Sequence, residues 1–113
     1  LTIRRDPARI GVFAGSFASQ QLAFAHLLDV ADRAGCTLDP DCIEVVPTDQ
    51  RETRLAHYFA AQTVTAICAS LVDWDTCILV IDPNALPARD TEHLHWVGSF
   101  DGTVVRARTD KPC

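Results

Sequence analysis

The chain has 113 residues, 48% hydrophobic and 22% charged, which suits one domain with one core and excludes two independent domains, disorder and low-complexity assembly. Ten basic residues, nine of them Arg, face fifteen acids, twelve of them Asp, for a net charge of −5. Binding a phosphate backbone needs a basic surface, so no nucleic-acid partner is expected. Arg4, Arg5 and Arg9 near the start and Arg106 and Arg108 near the end read as solvated flanks.

No apolar run approaches the ~18 to 20 residues of a membrane span, and no signal core follows the first charges. A cytoplasmic protein without membrane contact is expected, and the lack of Met leaves room for a segment before Leu1. Cys36, Cys42, Cys68, Cys77 and Cys113 form no C-x-x-C pair and stand at no zinc-finger spacing from a His, so no structural metal is expected. Cys68 and Cys77 sit in apolar runs and read as buried hydrophobes. Cys36 and Cys42 could pair in an oxidising compartment, but the remaining thiols favour the cytoplasm.

In chain order, residues 1–8 read as a flexible flank. Ile10–Ala14 reads as a buried strand that turns at Gly15-Ser16. Leu22, Ala25, Leu28 and Ala31 recur at helical spacing between Ser19 and Ala34, and Gly35 supplies a stop. Cys42–Val46 predicts a second strand closed by Pro47. Thr48-Asp49 with Glu52 resembles a capping box, and it starts a helix that runs to about Val72, with a break near Thr63 left open by β-branched residues. Cys77–Ile81 has the uniform apolarity of a central strand, ended by Asp82-Pro83-Asn84. Asp90–Val97 predicts a short helix, Thr103–Arg108 an edge strand, and 109–113 a tail.

This alternation predicts a single α/β domain, a three-layer sandwich with a mainly parallel four-stranded sheet of Rossmann or flavodoxin type. In such sheets ligands gather outside the carboxyl ends of the strands. That rule selects Gly15, Ser16 and Phe17, Pro47 to Asp49, and Asp82 to Asn84 as candidates. Gly15-Ser16 before a helix could admit an anion, although Gly-x-Gly-x-x-Gly and Gly-Lys-Ser/Thr patterns are absent and a turn that merely needs a small residue is the stronger reading. Asp82 could hold ribose hydroxyls or a metal, or cap its own turn. On a helix, Glu92 and His95 would be neighbours fit for proton transfer or for simple solvation. No Gly-x-Ser-x-Gly elbow supports a serine hydrolase, and no motif calls for a cofactor.

Arg9-Ile-Gly-Val-Phe-Ala-Gly-Ser-Phe17, the strand Asp73 to Asp82, Thr91-Glu92, and Gly102 to Asp110 together resemble blocks of the nucleoside 2-deoxyribosyltransferases and their N-glycosidase relatives. The resemblance implies N-glycosidic transfer or hydrolysis, with Glu92 as nucleophile and Asp82 orienting the sugar. Ile10–Phe17, Val46-Pro-Thr48 and Asp82–Leu86 are also similar to nicotinate-nucleotide adenylyltransferases. That enzyme's His-x-Gly-His signature is missing at Gln21-Leu-Ala-Phe24, which implies a degenerate, non-catalytic form. The expectation is therefore a domain that binds a nucleotide-like or anionic small ligand through Gly15, Ser16, Phe17 and Asn84, with Glu92 and Asp82 as catalytic candidates. The alternative is a protein-interaction or homo-oligomeric module.

Overall fold

The computed structural model describes residues 3–81 and 86–107. Four strands, β1 (Ile3–Gly15), β2 (Ile43–Pro47), β3 (Thr76–Val80) and β4 (His95–Ala107), form one sheet in the order β2-β3-β1-β4. Three helices accompany them, α1 (Gln20–Arg33), α2 (Arg51–Leu55) and α3 (Ala61–Ser70). Every neighbouring pair of strands is antiparallel. The mainly parallel, Rossmann-like sheet expected from the alternation of elements is therefore incorrect.

The reason lies between β2 and β3. A single helix over 48–72 would carry the chain to the far end of the sheet and make β3 parallel to β2. Instead the segment splits at Ala56–Ala60 into α2 and α3, and the chain goes out and comes back. It re-enters at the end it left, so Pro47 pairs with Thr76 and β3 runs antiparallel. Arg51, at the start of α2, holds the two ends of this excursion together. Its guanidinium donates to the carbonyls of Leu71 at 3.2 Å and Trp74 at 2.7 Å, beyond the last turn of α3.

The break itself docks on β4. The Thr103 amide donates to the Tyr58 carbonyl at 2.8 Å, and a Cβ on Gly102 would lie 2.6 Å from that same oxygen. Glycine is needed because backbone approaches backbone. Since the Thr103 amide points away from β1, the Pro7–Thr103 pair is of the non-hydrogen-bonded kind, and Pro7 turns its missing donor toward the unpaired side. The segment expected as a flexible flank is thus strand from Ile3 onward, because β4 extends with it as a two-stranded arm.

The sheet is covered on both faces. Phe13, Val45, Ile78 and Val80 pack with α1 residues Ala23, Leu27, Val30 and Ala31. Ile10, Val12, Val46, Cys77 and Leu79 pack with Leu55, Phe59, Ile67 and Leu71 from the α2–α3 side. In α1, the buried stripe is phased differently from the Leu22–Leu28 register, and both of those leucines are exposed. Ser19 Oγ caps the helix by accepting the Leu22 amide at 3.2 Å. Asp90–Val97 is no helix: Thr91 and Leu94 form a β-bridge around Glu92-His93, and β4 begins at His95. His93 adopts φ 65 to close that turn.

Candidate functional site

With β3 reversed, the carboxyl ends of only β1 and β2 share an end of the sheet. They bring Phe17 and Pro47 to Asp49 to one crevice, completed by Ser19, Gln20, Gln50, Asp75 and Thr76, with a volume of about 500 Å³. Gly15 is packed beneath it, where a Cβ would meet the Phe17 ring at 2.6 Å and the His93 carbonyl at 2.9 Å. Ser16 is exposed. The Phe17 amide, a natural anion donor in such a turn, is already committed, because Asp75 Oδ1 accepts it at 3.2 Å and also accepts the Thr76 hydroxyl at 2.7 Å. Thr48 and Gln20 side chains donate to the carbonyls of Asp75 and Val45. What remains for a ligand is rich in acceptors, with the Asp49 and Asp75 carboxylates and no basic side chain among the described lining residues.

Glu92 lies at the same end of the sheet but lines a different, smaller recess with His26, Arg33, Arg89 and Thr91. His26 Nε2 donates to the Glu92 carbonyl at 2.6 Å, and the Glu92 carboxylate stands 3.4 Å from His93 Nε2 and 3.9 Å from Arg33. That carboxylate is 69% exposed, so it is a solvated, paired anion rather than a shielded nucleophile. The expected Glu92–His95 helical pair does not form, since His95 is in β4. His95 instead stacks on Trp74 and meets Asp90 at 3.2 Å. The Trp96 amide first, and then His95, hold the Asp90 carboxyl below its usual range.

Asp82 and Asn84 lie outside the described residues. Their neighbour Ile81 bonds to the Cys42 carbonyl at 2.8 Å, at the end of the sheet opposite Gly15.

That opposite end holds a site that sequence reasoning missed. Glu44, on β2, points inward under the α2–α3 turn, and its side chain is only 13% exposed. One carboxylate oxygen pairs with Arg54, while Oε2 is buried without a hydrogen-bond partner. An unsatisfied buried acceptor of this kind costs roughly 1–3 kcal/mol, more when charged. Glu44, Arg54, Tyr58 and His57, with Asp41, Ile81 and Val104, line a cavity of about 380 Å³. Burial first, then its hydrogen bond with Glu44 and the charge of that carboxylate, push the Tyr58 hydroxyl far above its usual value. The available signal was a glutamate inside the apolar run Cys42–Val46, one of only three in the chain.

Among the described residues, no group of three or more His, Cys, Asp or Glu side chains could hold a metal ion. Cys77 is fully buried and burial raises its thiol to about 12, so it offers no thiolate near neutrality. Cys36 is a free thiol and Cys42 is disulfide-bonded, which rules out the Cys36–Cys42 bridge. No helix among the described residues is long and apolar enough to cross a membrane. No family model, curated protein or solved structure matches this chain.

Proposed function

We propose that the domain is a small-ligand binding module whose crevice at the carboxyl ends of β1 and β2 takes the hydroxyl-rich, uncharged part of a nucleoside-like molecule. The observation that carries this reading is the lining: Ser19, Gln50, Asp49 and Asp75 offer polar atoms to a sugar, Phe17 offers a ring, and among the described lining residues no basic side chain awaits a phosphate. The internal bond from the Phe17 amide to Asp75 further disfavours an anion. The Cys42 disulfide favours an oxidising compartment over the cytoplasm.

Titration of the isotope-labelled chain with uridine and with uridine monophosphate, followed by amide shifts, tests the proposal. Saturable shifts at residues 17–20 and 48–50 are expected for the nucleoside, weakened in Asp49→Asn. Tighter binding of the monophosphate would overturn the reading.

A further inference from the structure

We propose that the outer edge of β4 at residues 99–101 is a self-association site, where a second copy of the chain pairs antiparallel about a twofold axis at Phe100 and the two sheets join. The ladder fixes which backbone groups are open. The Thr103 amide points away from β1 to the Tyr58 carbonyl, and the register runs unbroken from the Pro7–Thr103 pair to the Gly11–Ser99 pair. Alternation along the strand therefore turns the amides and carbonyls of Asp101 and Ser99 away from β1 as well. No group among the described residues bonds to them. Elsewhere the sheet's edges carry obstructions. On β2, the Ile43 amide donates to the Pro40 carbonyl, Gln20 donates to the Val45 carbonyl at 3.1 Å, and Pro47 has no donor. On the arm, Pro7 stands at the unpaired side of β1. On β4 itself, Asp90 takes the Trp96 amide at 2.7 Å and Tyr58 takes the Thr103 amide at 2.8 Å, so the open stretch between them is short. An edge left open among obstructed ones is a template for another strand.

A second copy is the occupant that these residues fit. A twofold axis at Phe100 sets Ser99 opposite Asp101 of the other copy, and each such pair exchanges both backbone bonds. Phe100, half-buried beside Phe59 at a ring distance of 6.3 Å, meets its counterpart in the close pair between them. Arg9 already holds Asp101 at 2.9 Å, so two acidic chains meet there without an uncompensated charge. Pairing ends beyond these residues, because Tyr58 occupies the edge at Thr103 and the register shift between Val12 and Phe13 bends β4 near Gly98. So short an interface gives a weak, concentration-dependent dimer.

Sedimentation velocity of the full chain from about 10 µM to about 1 mM, the range a weak interface requires, tests this assignment together with amide shifts of the labelled chain on dilution. A monomer–dimer equilibrium is expected, with shifts concentrated at residues 98–102. Ser99→Lys places a cation opposite Asp101 of the other copy and should tighten the dimer about threefold or more, whereas Ser99→Asp should loosen it by as much. The same two changes at the exposed Gln62 on α3 should do neither, which separates the register from the effect of net charge. Ser99→Pro removes an outward donor and no bond to β1, so it should abolish association. The Lys and Asp variants carry the test if the Pro variant does not fold. A monomer throughout the range would overturn self-pairing and leave this edge to an extended segment of another protein. Equal effects of Lys and Asp at Ser99 would overturn the twofold at Phe100. The crevice amides at 17–20 and 48–50 should stay unmoved on dilution, so failure here is distinguishable from failure of the nucleoside reading.

Discussion

The two ends of the sheet solve the problem of a carboxylate near a core in opposite ways. At the Gly15 end, Asp75 is exposed at the sheet's rim, where one of its oxygens takes the Phe17 amide, 58 positions away in sequence, and the hydroxyl of its neighbour Thr76. At the other end, the Glu44 side chain is mostly buried under the α2–α3 turn, where it pairs with the Arg54 guanidinium and hydrogen-bonds with the Tyr58 hydroxyl. The exposed carboxylate shapes an open crevice and keeps its second oxygen within reach of solvent or a ligand, whereas the buried one depends on its ion-pair partner to offset its desolvation.

Removing partners from each end puts this contrast to the test. Arg54→Ala should have the largest effect, because it leaves Glu44 buried and uncompensated. About 2–3 kcal/mol of unfolding free energy should be lost in urea titrations, less than for a fully buried pair because Arg54 is half exposed. Replacing Glu44 and Arg54 together with leucine should recover most of that loss, and failure to recover it would mean the pair is needed for folding. Gly102→Ala drives a methyl into the Tyr58 carbonyl and should cost about 1–3 kcal/mol, read as a lower melting temperature. At the other end, Asp75→Ala should cost about 1–2 kcal/mol, since it leaves the half-exposed Phe17 amide and the hydroxyl of the buried Thr76 without their acceptor.

Two pH limbs sharpen the comparison with smaller effects. Tyr58 is the chain's single tyrosine, and its raised pKa means the folded state holds the phenolic proton more tightly. Stability should therefore be constant below the usual tyrosine value of 10.0 and fall as pH rises above it, with tyrosinate absorbance appearing together with unfolding. Tyr58→Phe should remove this limb. Asp90 is held below its usual range, so its small contribution should be present above the ordinary carboxylate pKa and fade as pH falls through the lowered value. Asp90→Asn should flatten that acid limb in thermal melts, and an unchanged limb would assign it to other carboxylates.

Much of the local structure was legible. Ser19 and Gly35 bracket α1, and the runs at 42–46 and 77–81 lie within a residue of β2 and β3. Gly15–Phe17 and Pro47–Asp49 end on one side of the sheet because β1 and β2 point the same way on either side of β3, although the parallel sheet that selected them together with Asp82 to Asn84 does not form. Glu92 was singled out as one of three glutamates, but its place on a helix was an error: the 90–97 pattern does not reveal a turn closed by His93 at positive φ. Nothing in the five-residue run of β2 tells whether Glu44 faces solvent or the α2–α3 turn, because that is decided by the helices packed on the sheet.

The sequence by itself determined α1, β2, β3 and the core of β1, since apolar periodicity, capping oxygens and turn residues act over a few neighbours. It could not determine strand direction. Ala56–Ala60 contains no Gly or Pro to announce a break, and the helix divides there because Phe59 is buried and the Tyr58 carbonyl meets the Thr103 amide beside Gly102, more than forty positions away. One long helix would have produced a parallel β3, and two short ones clamped by Arg51 produce an antiparallel one. Contacts distant in sequence thus decided the sheet's topology, and with it which residues share a site.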